Sequence, residues 1–214
     1  MSIAHELTFT HEFVPAPAGE ASKHTLLLLH GTGGNEHDLL ALGHRIDPSA
    51  ALLSPRGKVL EQGMPRFFRR LAEGVFDIPD LKRRTQELAD FVEAAAGHYG
   101  LDQNRIIAVG YSNGANIAAS MMLLRPEVLH AAILFRPMVP LVPEPLPDLS
   151  DFQVLIAAGN QDPIIPTDET DRLAALLRNS GAEVTSHLAN AGHGLTAEEI
   201  DIAANWIAAK LSIT

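Results

Sequence analysis

Residues 105–123 read RIIAVGYSNGANIAASMML, and the fold turns on how this stretch divides. An apolar run with Ile106, Ile107 and Val109 stops at Gly110, and an Ala-rich helical pattern begins after Asn113. Between them a polar Ser112 stands on a tight junction with glycines at 110 and 114. A continuous apolar run of this length predicts a strand buried on both faces, as parallel sheets require. The junction fits G-x-S-x-G, in which a sharp strand-to-helix turn strains the serine backbone and lifts its hydroxyl above the sheet. Gly110 and Gly114 are expected to be small because helix and neighbouring strand crowd the turn, where a Cβ would clash.

Working outward, the same alternation repeats. Buried strands are predicted in HTLLLLHG (24–31) and AALLSPRG (50–57), and further strands in AAILF (131–135), FQVLIAAGNQD (152–162) and AEVTSHLANAG (182–192). ELTFTHEFV (6–14) alternates like an edge strand, and PAPAGEASK (15–23) follows as a turn. Helical spacing marks HDLLALGHRI (37–46), with Asn35 or Asp38 available as its cap. It marks residues 80–100 as well, through Leu81, Thr85, Leu88, Phe91, Val92 and Ala95, with Gly97 or Gly100 at the end. Two more helices are expected over 167–181 and 196–211, the second opened by Thr196 with Glu199 in capping-box register. Residues 58–80 show no clean period and are expected to form a long functional loop, and five prolines make 136–151 loop. Strand–helix alternation of this kind predicts an α/β fold, a mostly parallel central sheet with helices on both faces and no large cap, in one domain over residues 1–214.

Composition narrows the function. The formal net charge is −10, which repels phosphate backbones and anionic lipid heads and so disfavours nucleic-acid or membrane-surface partners. No cysteine is present, so disulfides, thiolate metal sites and a cysteine nucleophile are out. MSIAHELTFTHEF (1–13) does not read as a signal peptide, and no run of about 18 apolar residues occurs, so a cytoplasmic protein without membrane insertion is expected.

In sheets of this kind ligands sit beyond the carboxyl ends of the strands. The polar residues placed there are His30 to Gly34, Tyr111-Ser112-Asn113, Arg136, Asn160-Gln161-Asp162 and Gly192-His193-Gly194. Serine, aspartate and histidine thus emerge in the order Ser…Asp…His, that of the α/β-hydrolase triad. His193 stands out because NAGHGL sets it between glycines just before the last helix. Asp162 directly follows a strand and precedes Pro163, whereas Asp168 and Asp171 suit a helix start, where the dipole favours negative charge. His30 is read as a structural residue holding the next loop. The catalytic expectation is Ser112, Asp162 and His193.

HGTGGNE (30–36) supplies the second half of the chemistry. Acyl transfer needs N–H donors aimed at the developing oxyanion, one just after the nucleophile and one from the loop after the first buried strand. These are the backbone groups of Asn113 and Thr32. A dinucleotide fingerprint is ruled out, since its third glycine would fall on Glu36, and a zinc H-E-x-x-H fails because Phe9 takes the place of the second histidine. No metal and no cofactor are expected. Met64, Phe67, Phe68, Met138, Ile164 and Ile165 are candidates for the substrate pocket, and Arg66, Arg69, Arg70 and Arg136 for an anionic substrate group.

With LLHGTGG, GMPRFFRRLAEGVFD, GYSNGANIA, GNQDPIIP and AGHGL in order along nearly the whole chain, the sequence resembles the phospholipase/carboxylesterase family of small α/β-hydrolases. It looks closest to a bacterial carboxylesterase branch. The resemblance implies a serine esterase acting on a small-molecule ester without a cofactor, sometimes as a homodimer. Ser112, Asp162 and His193 match the family triad, and Thr32 and Asn113 its oxyanion donors. Acyl-protein thioesterases and lysophospholipase-like members usually carry glutamine after the serine and an acidic residue in the glycine loop, where this chain has Asn113 and Gly34. The alternatives are acyl-protein thioesterase/lysophospholipase-like or dienelactone-hydrolase-like activity, a serine peptidase or acyltransferase using the same triad, and a silent binding module on the same scaffold.

Overall fold

The computed structural model describes residues 7–18 and 24–211. Glu6 of the expected edge strand, residues 19–23 of the expected turn and the first five residues lie outside that range. The strands are β1 (His11–Val14), β2 (Thr25–Leu29), β3 (Ala51–Pro55), β4 (Val59–Glu61), β5 (Met64–Arg66), β6 (Arg70–Ala72), β7 (Val75–Phe76), β8 (Ile106–Tyr111), β9 (Ala131–Phe135), β10 (Gln153–Gly159) and β11 (Glu183–Ala189). The helices are α1 (Leu40–Ile46), α2 (Ile78–Tyr99), α3 (Asn113–Leu124), α4 (Thr167–Asn179) and α5 (Ala197–Lys210).

Seven strands form one sheet in the order β1-β3-β2-β8-β9-β10-β11. β1 is antiparallel to β3, and every other pairing in this sheet is parallel. Period-two alternation assigns each side chain of the inner strands to a layer. Leu27 and Leu29, Ala108, Leu134, and Val154 with Ile156 face a core built with α2, α3 and α4. Leu26 and Leu28, Ile107 with Val109, Ile133, and Leu155 face a second core with α1 and α5. Burial on both faces is what the unbroken apolar runs required. Helix α3, apolar nearly all round, packs on β8 beneath α2, and its residues 113–123 are all buried.

The chain leaves β2 toward β3 on one side, then returns past β2 to enter β8, after which it runs outward through β9, β10 and β11. Strand order therefore reverses between β2 and β8, and the crevice above such a switch point is where ligands bind in open α/β sheets. Thr32 and Ser112 stand on its two sides.

Two expectations need correction. Residues 58–80 are not a structureless loop: β4 pairs with β5, and β6 with β7, as two small antiparallel ribbons. Gln62 and Gly63, both at positive φ (51° and 82°), make the tight two-residue turn of the first ribbon. The second discrepancy is the start of α1, whose N-cap is Leu39 without a side-chain cap, while Asn35 Oδ1 instead accepts from the His37 amide. Of the expected edge strand only His11–Val14 pairs, while two helix-end signals agree with the structure. Gly100 closes α2 in the left-handed conformation, and Thr196 with Glu199 forms the reciprocal capping box of α5.

Candidate active site

Ser112 follows β8 at φ 52° and ψ −111°, a backbone region that L-residues rarely occupy. The geometry that holds it there is steric. A Cβ on Gly110 would lie 2.6 Å from the Ala115 Cα, and one on Gly114 would lie 1.9 Å from the Leu29 carbonyl oxygen. Helix α3 thus starts against β2 as well as β8, and the turn has no room to relax. The Ser112 amide is held by the Phe135 carbonyl at 2.9 Å.

Three loops from the same sheet edge bring their side chains together. His193 Nε2 lies 3.1 Å from Ser112 Oγ, and His193 Nδ1 lies 2.7 Å from Asp162 Oδ2. The other Asp162 oxygen accepts from the amides of Ile164 and Ile165 at 2.8 and 3.1 Å, so the carboxylate is fixed from both ends. Burial pushes the Asp162 carboxyl up, but the hydrogen bond from His193, the two amides and the imidazole charge outweigh it and hold the group below the usual aspartate value. The Asn113 amide, first in α3, is one that a helix leaves without an internal acceptor. Among the described residues neither it nor the Thr32 amide donates to a backbone carbonyl.

His30 is structural, as expected. It is buried, its Nε2 accepts from the Gly57 amide at 3.0 Å, and its Nδ1 is 2.6 Å from the Gly31 carbonyl, so the ring is neutral with the proton on Nδ1. Burial pushes its pKa down. The glycine loop is tied further by Thr32 Oγ1, which accepts from Arg66 Nη1 at 2.6 Å, and by the Gly33 amide, which donates to the Pro65 carbonyl at 2.9 Å.

A cleft of about 310 Å³ opens over Ser112 and His193, with Thr32, Arg70, Glu73, Tyr111 and Ile164 in its walls. A smaller recess beside it also reaches Ser112 and adds Met138, Ile165, Phe76 and Arg66. Ile164 lines both recesses, and Ile165 and Met138 line the smaller one. Phe67 and Phe68 line neither: both are core residues, the first tilted against His30 and the second edge-on to Phe76. Met64 lies beside Gly33 and lines neither recess.

The arginines divide in the same way. Arg136 cannot receive an anionic substrate group, because all five of its N–H donors are taken inside the protein. Nε donates to the Gly192 carbonyl at 3.0 Å, Nη1 to the Ala157 carbonyl at 3.2 Å and to Glu199 Oε1, and Nη2 to the Gly194 carbonyl and Glu199 Oε2, both at 2.9 Å. Arg69 is exposed and pairs with Asp77. Arg66 and Arg70 remain at the cleft.

Sequence reasoning missed Glu73 as a cleft residue and named Tyr111 only as a strand-end residue. Tyr111 has the clearest signal, its place at the end of β8 beside Ser112. Its hydroxyl donates to the His193 carbonyl at 3.1 Å. Among the described residues no group of three or more potential metal ligands occurs, and no helix is long and apolar enough to cross a membrane.

This arrangement of strand-end serine, histidine and aspartate over a mostly parallel sheet is the α/β-hydrolase fold, and comparison with known proteins places the chain within it. Residues 10–211 match the phospholipase/carboxylesterase family, and the chain belongs to that family. It is 54% identical over 185 residues to the MhqD protein of Bacillus subtilis (strain 168), covering 86% of this chain and 92% of that protein. It superposes on the crystal structure of a Bacillus cereus carboxylesterase with a TM-score of 0.91 at 50% identity, over 94% of each chain. The structure of YahD with malic acid matches with a TM-score of 0.87 at 34% identity, over 94% of this chain and 99% of that one. The protein is an ester hydrolase.

Proposed function

We propose that the protein is a serine carboxylesterase that hydrolyses small or medium carboxylic esters through an acyl-enzyme. The observation that carries this is the unbroken relay from Ser112 Oγ through the imidazole of His193 to Asp162, at 3.1 and 2.7 Å. Ser112 Oγ attacks the ester carbonyl carbon as His193 Nε2 takes its proton, and Asp162 fixes the tautomer and stabilises the imidazolium. The carbonyl oxygen becomes the oxyanion, received by the amides of Thr32 and Asn113. Collapse breaks the carbon–oxygen bond to the alcohol, which leaves with the proton from His193. Water, deprotonated by the same imidazole, then cleaves the acyl-enzyme and restores the serine.

A cleft of about 310 Å³ suits small substrates, and a relative solved with malic acid, a small hydroxy acid, agrees with that scale. Residues 1–214 act as one hydrolase unit in this scheme. The test is Ser112→Ala, assayed with p-nitrophenyl esters and a fluorophosphonate probe. Turnover and labelling are expected to vanish while the circular-dichroism spectrum is unchanged. Ester hydrolysis at the wild-type rate by the alanine protein would end the proposal, and a wild-type protein that neither labels nor turns over would point to a silent binding module.

A further inference from the structure

The two ribbons between β3 and α2 place an unusual charge group on the wall of the cleft. Glu61, at the end of β4, is the shared partner of two guanidinium groups. Arg70 donates to it from Nε at 3.0 Å and from Nη2 at 2.8 Å, and Arg66 Nε lies 3.2 Å from its other oxygen. One carboxylate thus answers two positive charges. Arg66 is almost wholly buried, and burial together with the neighbouring Arg70 charge lowers its pKa. Both arginines reach the recess that contains Ser112, and Arg70 also lines the main cleft beside Ser112 and His193.

A buried charge without full compensation is costly, so a site that keeps one is suited to a ligand that supplies the missing counter-charge. The contrast with Arg136 is direct, since that guanidinium is saturated by protein acceptors. The protein as a whole carries a formal charge of −10, so an anion is drawn to this cleft only by local positive charge focused there. One carboxylate opposes it. Glu73, at the exposed turn between β6 and β7, lines the cleft too, and among the described residues it forms no ion pair.

We infer that Arg70, backed by Arg66, is a specificity-determining group that receives a free carboxylate on the substrate, so that the preferred esters are half-esters of short dicarboxylic acids. The acyl chain lies between Ser112 and Arg70, with its ester carbonyl over the serine and its distal carboxylate on the guanidinium. Glu73 at the rim weakens binding of the same anion. The inference rests on the serine-esterase reading above and adds the substrate class.

The experiment compares kcat/KM for monoethyl succinate and monoethyl glutarate with that for their carboxamide counterparts, followed by pH-stat. The wild-type protein is expected to favour at least one half-ester by about tenfold, the scale of one charge-assisted hydrogen bond. Added sodium chloride is expected to shrink the preference through screening. Arg70→Met should collapse the ratio toward one, whatever it does to the neutral ester. Glu73→Gln, an exposed change that leaves the fold untouched, should raise it. A ratio at or below one with both chain lengths, or a ratio that neither variant moves, would overturn the assignment while Ser112-dependent turnover of the neutral esters kept the esterase reading intact. Turnover that survives Ser112→Ala would overturn both.

Discussion

Arg136 and His193 are joined through the main chain: the guanidinium grips the carbonyl oxygens of Gly192 and Gly194, on either side of the histidine, at 3.0 and 2.9 Å. The same guanidinium is paired inside the protein with Glu199, whose carboxylate also caps α5 through the Thr196 amide at 2.9 Å. The loop carrying the imidazole is thereby anchored to β9, β10 and the start of α5 at once. Arg136 adopts φ 55° to do this, a strained conformation for a residue with a side chain.

Removing one member of that pair should therefore cost more than a surface substitution. Glu199→Gln or Arg136→Met is expected to destabilise the fold by about 3–5 kcal/mol, because each leaves a buried charge uncompensated. The double variant Arg136→Met, Glu199→Gln should lose less than the sum of the singles. Urea unfolding of the four proteins measures this, and additive losses would show that the two groups do not act as a pair.

The two glycines 114 and 97 make an internal contrast. Gly114→Ala drives a methyl group into the Leu29 carbonyl, 1.9 Å away, with only backbone to yield. A loss of about 3 kcal/mol or more and a displaced Ser112 are expected. Gly97 sits within α2 with nothing within 4 Å of its would-be Cβ. Gly97→Ala should stabilise by about 0.5–1 kcal/mol. Thermal melts of the two variants should move in opposite directions.

Asp162→Asn keeps the size of the side chain and removes its charge. With the imidazole free to take the wrong tautomer, kcat is expected to fall by about 10⁴-fold with little change in KM. Steady-state kinetics with a chromogenic ester reads this. A fall of less than about tenfold would mean that the carboxylate does not orient His193.

His30 predicts a pH dependence of stability. Its folded-state pKa lies below the ordinary histidine value of 6.5, because burial disfavours the charged ring. Below about pH 6.5 the unfolded chain binds the extra proton first, so the contribution of His30 is complete above that pH and is lost as pH falls toward the folded value. A ring NMR titration should find the His30 midpoint below 6.5, with the proton of the neutral ring on Nδ1. A midpoint at or above 6.5 would contradict the acceptor role of Nε2 toward Gly57.

Much of this site is legible in the sequence. Ser112, Asp162 and His193 each follow an apolar run, and strand ends are the one place a parallel sheet offers to polar groups. The glycines at 110 and 114 betrayed the tight turn because nothing larger fits. What escaped was pairing between segments without local pattern. The ribbons have strands of two or three residues, too short for a period to register, although the X-Gly pairs Gln62-Gly63 and Glu73-Gly74 mark their turns. Phe67 and Phe68 looked like pocket residues because they sit in that segment, yet the ribbons fold them inward onto His30 and Phe76. Arg136 resembled an anion receptor for a similar reason. Its partner Glu199 is 63 residues away, and the sequence explained Glu199 fully as a helix cap.

The order in which the sheet is laid down has a consequence for anyone using this protein as a reporter. In the proposed mechanism the nucleophile, Ser112, arrives with the fourth strand of the row, but its base is delivered only past the last one, at residue 193. A chain that has assembled everything up to β10 already owns a hydroxyl in its strained turn and remains chemically mute. On that mechanism ester cleavage signals completion, switching on only when the farthest edge of the molecule has docked.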